Sequence, residues 1–285
     1  MFFRPSVALV AFFAAACAAA WPAPPGASAA AAPAATRIVS LIPSLTEDLF
    51  AIGAGAQVVG VSDYTDVPAA ATRLPKVASF ASLDAERVVG LHPDLVVGIV
   101  AQGALVADLR RAGLRVELLR DDSFDDIFAD LSRLGALSGH GREAATLATA
   151  LHARTARLTA AVPPGERPRT FVVLGTAPIF TVGDRSYIAR LIELAGGSNA
   201  ARGARDAYER YSAEALVAAQ PDVIVADRSA NLPAAIAGPP WNALRAVRAR
   251  RVYVLDDAGL LERPGPRYNQ GLAWLIARLH PHAAR

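Results

Sequence analysis

After residue 36 the chain alternates short runs rich in β-branched side chains with longer amphipathic stretches. Short apolar runs bounded by turn residues are typical of buried strands, whereas amphipathic stretches are typical of helices. Their alternation along the chain predicts an α/β fold with largely parallel strands. The predicted strands are residues 37–41, 58–61, 95–100, 115–119, 170–174, 223–226 and 251–255.

Three stretches carry clear helix patterns. Ser44-Leu45-Thr46-Glu47 matches the capping box, in which serine and glutamate satisfy backbone amides at a helix start, and this helix is expected to end near Gly53. A second pattern covers residues 123–137. The third covers residues 141–161 with no internal breaker, and it predicts a helix roughly 30 Å long that stops at Pro163.

One thirteen-residue segment occurs twice. Residues 85–97 read Ala-Glu-Arg-Val-Val-Gly-Leu-His-Pro-Asp-Leu-Val-Val, and residues 213–225 read Ala-Glu-Ala-Leu-Val-Ala-Ala-Gln-Pro-Asp-Val-Ile-Val. In both copies a helical turn with an early glutamate precedes Pro-Asp and a buried strand. The repeat predicts two similar α/β lobes at residues 37–140 and 163–285, bridged by a single long helix at 141–162.

The repeated glutamates, Glu86 and Glu214, have two interpretations. A carboxylate in the first turn of a helix is favoured by the helix dipole, by a few tenths of a kcal/mol. Alternatively, one acidic side chain per lobe offers two matched contacts to a partner with two-fold symmetry and arginines at its surface. The spacing of the two residues does not decide between these interpretations.

The first 29 residues have the features of a secretory signal peptide. Arg4 precedes an uncharged apolar stretch at residues 7–20, which is shorter than the roughly 20 residues of a membrane span. Ala27-Ser28-Ala29 offers a cleavage site, and residues 30–36 form a flexible Ala/Pro lead. Cys17, the single cysteine, offers lipid attachment as a less favoured alternative, because Ala14 stands where a lipoprotein usually has a bulkier residue.

Charge and cysteine content narrow the function further. The 285 residues contain 29 Lys+Arg and 26 Asp+Glu, for a net charge of +3, and the basic residues do not run together. No nucleic-acid partner is therefore expected. Once the signal peptide is removed, no cysteine remains to form a disulfide, so the exported domain depends on its hydrophobic core.

The common catalytic patterns are absent from the sequence. No Gly-x-Ser-x-Gly motif or Walker loop occurs, and the five histidines do not have metal-ligand spacing. The glycines at 53, 55 and 60 follow a helix and precede a strand, which is the reverse of a dinucleotide loop, so we interpret them as a helix stop. We therefore expect no catalysis, no resident cofactor and no metal site, which favours a binding protein over an enzyme.

Five further motifs stand in this order along the exported domain: Arg37-Ile-Val-Ser-Leu-Ile-Pro-Ser-Leu-Thr-Glu47, Val59-Gly-Val-Ser-Asp-Tyr64, Pro93-Asp-Leu-Val-Val97, Leu191-Ile-Glu-Leu-Ala-Gly-Gly-Ser-Asn199 and Arg263-Pro-Gly-Pro-Arg267. Together they resemble one family, the periplasmic substrate-binding proteins of ABC importers for vitamin B12, haem and ferric siderophores. The similarity is greatest to the vitamin B12 branch and covers nearly the whole exported domain. It implies two α/β lobes bridged by one helix, with the ligand in the cleft between them.

The resemblance assigns roles to particular residues. It implies that Glu86 and Glu214 dock on arginines of an inner-membrane permease dimer that works with ATPase subunits. The binding protein itself is expected to be a periplasmic monomer that carries cobalamin or another corrinoid. Asp63 and Arg267 are left open between the pocket and structural pairing. The implied ligand-contacting residues are Ser44, Tyr64, Phe80, Phe180, Tyr208 and Arg263.

Some positions depart from the vitamin B12 branch. Phe80 and Tyr208 stand where those proteins can carry tryptophan. The segment before Arg263 reads Gly259-Leu260-Leu261, and no acidic or aromatic contact is expected from it. A disulfide of some relatives is absent, with Ala195 and Ile276 at the matching positions. A haem or ferric-siderophore binder therefore remains an alternative, with Tyr64 as the candidate axial ligand for haem. An exported enzyme on a similar scaffold is the remote alternative.

Overall fold

The computed structural model of the protein describes residues 33–165, 167–201, 203–204 and 206–281. The predicted signal peptide, Cys17 and residues 30–32 of the lead lie outside the described residues, as does His282. Of the described helices, none combines the length and the apolar character needed to cross a bilayer.

The N-terminal lobe contains a five-stranded sheet with strand order β3-β2-β1-β4-β5, and every neighbouring pair is parallel. Parallel strands need crossover connections, and helices supply most of them here. β4 is buried along its whole length, as expected for a strand covered on both faces. The elements are β1 Ile38–Ser40, α1 Pro43–Ala51, β2 Val58–Ser62, β3 Lys76–Ala78, α2 Ala85–Gly90, β4 Leu95–Ile99, α3 Ala107–Arg111, β5 Val116–Leu119 and α4 Asp126–Ser138.

The long helix α5, Gly141–Ala160, follows and leads into the C-terminal lobe. That lobe has a parallel sheet of order β12-β11-β6-β9 and a small antiparallel sheet of order β10-β8-β7. Its elements are β6 Arg169–Val173, β7 Gly175–Thr176, β8 Ile179–Val182, α6 Tyr187–Leu194, β9 Ser198–Asn199, β10 Tyr208–Arg210, α7 Ala213–Ala219, β11 Val223–Asp227, α8 Leu232–Ala235, α9 Arg245–Arg248, β12 Val252–Leu255, α10 Gly259–Glu262 and α11 Tyr268–Leu279.

The predicted elements are largely confirmed. Every predicted strand is present within one residue at either end, and the 20 residues of α5 match the predicted long helix. The α/β fold class with two lobes is confirmed, whereas the lobe boundaries at 37–140 and 163–285 remain a prediction. The strands that the pattern missed, β3, β7, β8, β9 and β10, are two to four residues long, too short for a periodicity to develop.

The start of the first helix corrects a prediction. Ile42, not Ser44, is the N-cap of α1, and no side chain caps the helix, which has Pro43 in its first turn. Ser44-Leu45-Thr46-Glu47 is therefore not a capping box, because these residues already lie inside the helix and Glu47 is turned toward two arginines. The predicted stop is confirmed, since Gly53 has the left-handed φ of 91°.

The sequence repeat is also a structural repeat. Asp94 Oδ1 accepts a hydrogen bond from the amide of Arg37 at 3.0 Å, which ties the start of β4 to the start of β1. Asp222 Oδ2 accepts from the amide of Arg169 at 2.9 Å and ties β11 to β6 in the same way. The aspartate of each Pro-Asp pair therefore aligns the two central strands of its own sheet.

The residue before each Pro-Asp pair has the same backbone conformation in the two lobes. His92 has a φ of 49° and Gln220 a φ of 41°, both in the left-handed region. The carbonyl of His92 accepts from Arg37 Nε at 3.1 Å, and the carbonyl of Gln220 accepts from Arg169 Nη2 at 2.9 Å. In each lobe the carbonyl of the left-handed residue thus accepts a hydrogen bond from an arginine at the start of the neighbouring strand.

A continuous core joins the two lobes. One hydrophobic cluster includes Leu45 and Leu49 of α1, Leu131 of α4, and Leu272 and Leu275 of α11. From Ala34 onward the chain accordingly forms one compact unit. The lobes share buried apolar surface and are not joined by the α5 helix alone.

Polar contacts fasten α5 to α11 beside this core. Thr155 Oγ1 on α5 lies 2.6 Å from the hydroxyl of Tyr268. The side-chain amide of Asn269 donates from Nδ2 to the Leu151 carbonyl at 3.1 Å. The Tyr268 ring also packs edge-on against Phe124 with 5.0 Å between ring centroids. Because α5 connects the lobes and α11 belongs to the C-terminal lobe, these contacts hold the connecting helix against that lobe and oppose rotation of one lobe against the other.

Two acidic residues are buried between α1 and α4. Both carboxylate oxygens of Asp48 are inaccessible and have no hydrogen-bond partner among the described residues. Burial raises its pKa well above the usual value, and the neighbouring Asp130 and Glu47 raise it further. Burial, with Asp126 and Asp121 nearby, raises the pKa of Asp130 to about 8. The folded protein therefore holds protons on these carboxyls at pH values where the unfolded chain releases them.

Asp48→Asn is expected to raise the free energy of unfolding by about 1–3 kcal/mol near pH 7.5 and to change it little near pH 4. A raised carboxyl pKa in the folded state means that stability falls as pH rises above the unfolded value, and asparagine removes that fall. Urea denaturation at the two pH values measures the difference. Asp122→Asn, at an exposed carboxyl, is the control, and an equal gain in both variants would contradict the burial argument.

Candidate functional site

The carboxyl ends of strands from both lobes meet around one cavity of about 320 Å³ that opens to solvent. In open α/β sheets, ligands bind at this edge, outside the carboxyl ends of the strands. Residues from the N-terminal lobe and from the C-terminal lobe face each other across it. We call this cavity the cleft, and it is lined by Leu41, Ile42, Pro43, Ser44, Ser62, Tyr64, Phe80, Asp121, Tyr208, Ala258, Gly259, Glu262, Arg263 and Pro264.

Three aromatic side chains project into the cleft from separate elements. Tyr64, Phe80 and Tyr208 expose 64%, 61% and 38% of their surface, which is unusual for large hydrophobic residues in a folded chain. Tyr64 and Phe80 belong to the N-terminal lobe and Tyr208 to β10. Exposed aromatic faces that share one concave surface mark a site for a flat or bulky apolar ligand.

Most of the ligand-contacting residues expected from the sequence come together here. Ser44, Tyr64, Phe80, Tyr208 and Arg263 all line the cleft. Phe180 does not line it, but lies half-buried on β8, next to the strand that carries Tyr208. Their roles in ligand contact remain predictions. Asp63, which the sequence left open, is exposed and is not part of the lining.

Arg263 lines the cleft but is already paired. Its guanidinium donates to Glu47 Oε1 at 3.1 Å, to both carboxylate oxygens of Asp66, and to the Tyr64 carbonyl at 3.2 Å. Burial alone would lower the pKa of Arg263, but Asp66 and Glu47 raise it above its usual value. The positive charge is therefore compensated by two carboxylates before any ligand enters.

Arg267 completes the same group of charges. Its Nε and Nη2 donate to the two oxygens of Glu47 at 2.7 and 3.0 Å, and its Nη1 donates to Asp257 at 2.6 Å. The hydrogen bond to Glu47 is the largest influence and raises the pKa of Arg267. Arg267 is thus a structural partner and not a lining residue, which resolves the alternative left open by the sequence.

These charges form an interlobe ion-pair cluster of Glu47, Asp66, Asp257, Arg263 and Arg267. The Glu47 side chain is 3% exposed, and those of the two arginines are 19% and 18% exposed. Partial burial would raise the pKa of Asp66, but its hydrogen bond to Arg263 lowers it below its usual value. The cluster joins α1 of the N-terminal lobe to the segment between α10 and α11 of the C-terminal lobe.

The sequence reasoning missed two acidic residues of the cleft. Asp121 lies two residues after the end of β5. Glu262 immediately precedes Arg263, so the expectation that this segment brings no acidic side chain to the cleft is wrong. The position of Asp121 after a predicted strand could have identified it, since side chains at the carboxyl ends of parallel strands meet at one edge. Glu262 lies in the wall opposite Asp121, so each lobe contributes one carboxyl.

The cleft holds these carboxyls in an environment that disfavours ionisation. Burial raises the pKa of Asp121 to about 6, with Asp122 and Asp126 adding to the shift. Desolvation in the cleft wall raises the pKa of Glu262 to about 8, helped by the charge of Asp227 and a hydrogen bond to it. Near neutral pH, Glu262 is therefore largely a hydrogen-bond donor and Asp121 largely an acceptor.

No metal centre is formed within the described ranges, where no group of three His, Cys, Asp or Glu side chains comes together to hold an ion. The cleft offers aromatic faces, hydroxyls and carboxyls, which suit hydrogen bonding and apolar contact. Tyr64, the axial-ligand candidate from the sequence, lies in this lining, and Tyr208 is a second phenol there.

The repeated glutamates lie away from the cleft on short helices. Glu86 and Glu214 are exposed in the first turns of α2 and α7, and neither has a side-chain partner among the described residues. Asp84 Oδ1 accepts from the Arg87 amide at 2.9 Å, and Ser212 Oγ accepts from the Ala215 amide at 3.0 Å. Other residues therefore cap these helices, and the two glutamates are available to solvent.

Two α/β lobes, one bridging helix and an open cleft define the class of two-lobed ligand-binding proteins. The family model described as periplasmic binding protein matches residues 38–258. The chain belongs to this family, which consists of binding proteins and not of enzymes.

Individual relatives point to the same family. The vitamin B12-binding protein of Yersinia pestis (strain Pestoides F) is 32% identical over 196 residues, or 68% of this chain and 70% of that protein. The periplasmic vitamin B12-binding protein of Vibrio cholerae is 28% identical, with a TM-score of 0.76 over 88% of this chain and 98% of that chain. A periplasmic heme-binding protein of Pseudomonas aeruginosa is 30% identical, with a TM-score of 0.79 over 87% and 94%.

Glu47→Gln is expected to lower the free energy of unfolding by about 3 kcal/mol, because it leaves two partly buried guanidiniums short of negative charge. Chemical denaturation near neutral pH measures the loss. Asp108→Asn is the matched control, since it breaks an exposed pair with Arg111 and should cost less than about 1 kcal/mol. Equal losses in the two variants would contradict a structural role for the cluster.

Proposed function

We propose that the protein binds cobalamin or a related corrinoid in the cleft and delivers it to an inner-membrane ABC permease dimer with ATPase subunits. The observation that carries this proposal is the set of three exposed aromatic faces, Tyr64, Phe80 and Tyr208, around a cleft whose guanidinium is already neutralised. The vitamin B12-binding relatives support the same ligand class.

The chemistry of a corrinoid matches the cleft. A corrin is a broad, partly apolar ring with amide groups around its rim, so it needs aromatic contact on its faces and hydrogen-bond partners at its edge. Ser44, Asp121 and Glu262 supply such partners from both lobes. Since the cavity opens to solvent, a corrinoid larger than its volume would project from the mouth of the cleft.

Haem is the second candidate ligand. The exposed Tyr64 phenol faces the cleft and has the chemistry of an axial haem ligand. A heme-binding relative shares the fold at 30% identity. An anionic ferric siderophore is less well suited, because Arg263 is compensated by Glu47 and Asp66 and offers no net positive charge.

The remaining parts of the proposal follow from the transport role. The protein works as a periplasmic monomer after removal of a signal peptide at residues 1–29, with no catalysis and no resident cofactor of its own. Retention through a lipid on Cys17 is the less favoured alternative. Two sets of contacts support a small opening motion: those between α5 and α11, and those within the ion-pair cluster.

Glu86 and Glu214 are proposed to dock on arginines of the permease. Both glutamates are exposed in first turns that Asp84 and Ser212 already cap, so their carboxylates are accessible to a partner, although the helix dipole favours carboxylates at these positions as well. Val89 and Val217, each three residues after its glutamate, are also exposed and lie on the same helix face. Each lobe therefore presents one carboxylate beside one apolar side chain, as a two-fold symmetric partner requires.

Calorimetric titration with cyanocobalamin is expected to give saturable one-to-one binding at micromolar or tighter affinity. Phe80→Ala should weaken that binding about tenfold by removing an aromatic face, without unfolding the protein because the side chain is exposed. Val217→Ala, outside the cleft, is the control. A hemin titration followed by its Soret band runs in parallel, and hemin binding without cobalamin binding would transfer the proposal to haem.

The variant carrying Glu86→Gln and Glu214→Gln is expected to reduce ligand delivery at least about tenfold, because it removes the charge that pairs with the permease arginines. Uptake of radiolabelled cobalamin into proteoliposomes with the cognate permease complex measures delivery. Cobalamin affinity should be unchanged in the same variant. Glu143→Gln, at another partly exposed glutamate, is the control, and loss of ligand affinity in the double variant would count against docking.

A further inference from the structure

The described lining of the cleft includes two carboxyl side chains, Asp121 and Glu262, and one guanidinium, that of Arg263. Arg263 is paired with Glu47 and Asp66. Glu262 shares a hydrogen bond with Asp227. Asp121 has no ion pair in the part of the chain that the structure describes, so its charge is the one that a ligand meets uncompensated.

Asp121 does not supply the side-chain hydrogen bonds at the start of α4. Ser123 and Asp126 form these bonds with each other. The Ser123 amide donates to Asp126 Oδ2 at 2.8 Å, and the Asp126 amide donates to Ser123 Oγ at 3.3 Å. Asp121 is half-buried and faces the cleft just before this turn. Its carboxyl bonds to the backbone of Asp121 itself but pairs with no cationic side chain in the described part of the chain, which leaves it accessible to a ligand.

The wall opposite Asp121 presents the phenol of Tyr208 to the cleft. Burial raises the pKa of the Tyr208 phenol on β10 to about 12, and the nearby carboxyls of Asp121 and Glu262 add to the shift. Tyr208 therefore stays a neutral hydroxyl. A ligand group placed between the two lobes meets carboxyls and a phenol, with no free cation in the described lining.

We propose that Asp121 sets the charge selectivity of the cleft: its carboxylate accepts hydrogen bonds from amide groups of an uncharged ligand and repels ligands that place a carboxylate nearby. The inference rests on the proposed function and extends it, since it explains how one cleft prefers an amide-rimmed corrinoid over anionic chelates. A buried carboxylate facing a ligand carboxylate is strongly disfavoured, because like charges in a partly desolvated site are weakly screened.

The selectivity depends on pH with a definite sign. Asp122, together with Asp126 and Asp130 of α4, lies near Asp121 on its own lobe, and Tyr208 and Glu262 face it from the other lobe. With the pKa of Asp121 near 6, its carboxyl is mostly ionised above that pH and mostly protonated below it. Repulsion of anionic ligands is therefore full at about pH 7.5 and weak at about pH 5.

The test compares cyanocobalamin with its isomeric monocarboxylic acids, in which one propionamide is hydrolysed to a carboxylate. At about pH 7.5 the wild-type protein should bind at least one acid isomer about tenfold more weakly than cyanocobalamin. Asp121→Asn should reduce that difference to about twofold or less, whereas Asp122→Asn should keep it. At about pH 5 the wild-type difference should shrink toward that of Asp121→Asn.

Failure of the inference and failure of the proposed function give different results. If the corrinoids bind and the difference between acid and amide persists in Asp121→Asn, or is absent from the wild type, the role of Asp121 is overturned and the corrinoid function stands. If hemin binds and the corrinoids do not, the ligand is wrong, and Asp121→Asn must then tighten hemin about tenfold at about pH 7.5. Unchanged hemin affinity, or no binding of any probe, overturns the inference as well.

Discussion

The buried carboxylate of Glu47 is the constraint on which the rest of the structure depends. A carboxylate that is nearly inaccessible must be paired, and Glu47 is held by Arg263 and Arg267 from the other lobe. These bonds set the distance between α1 and the segment that joins α10 to α11. Since Pro43 and Ser44 of α1 and Arg263 and Pro264 of the other segment line the cleft, the pairing of Glu47 also fixes the relative position of these parts of its lining.

The same pairing works together with the hydrophobic core. Leu45 and Leu49 on α1 pack in one cluster with Leu272 and Leu275 on α11, and Thr155 bonds to Tyr268 beside them. Two lobes that share a core and a buried ion-pair cluster resist large rotations, because opening would expose apolar surface and strip charges of their partners. These contacts therefore favour a small opening motion of the cleft.

The ion-pair cluster also determines the electrostatics of the cleft. Arg263 lines the cleft, but its charge is compensated by the cluster, so the other polar and aromatic groups of the lining are rings, hydroxyls and carboxyls. Asp121 and Glu262 then keep raised pKa values, about 6 and about 8, in a cavity that offers them no free cation among the described residues. Stability of the lobe interface and the charge preference of the ligand site thus have a common origin.

The sequence by itself determined the α/β class, the strands of both parallel sheets except β3 and β9, the long α5 helix and the repeat around Glu86 and Glu214. Each of these is encoded locally, in the spacing of apolar residues and in helix and turn signals that operate within a few positions. The tertiary structure decided what Glu47, Arg263 and Asp121 do. Glu47 and Arg263 are 216 positions apart, so no local pattern could show that the glutamate pairs with arginines and does not cap its helix. The charge left facing the ligand depends on which carboxyls and guanidiniums meet after folding, because burial and pairing belong to the three-dimensional arrangement and not to the residues taken singly.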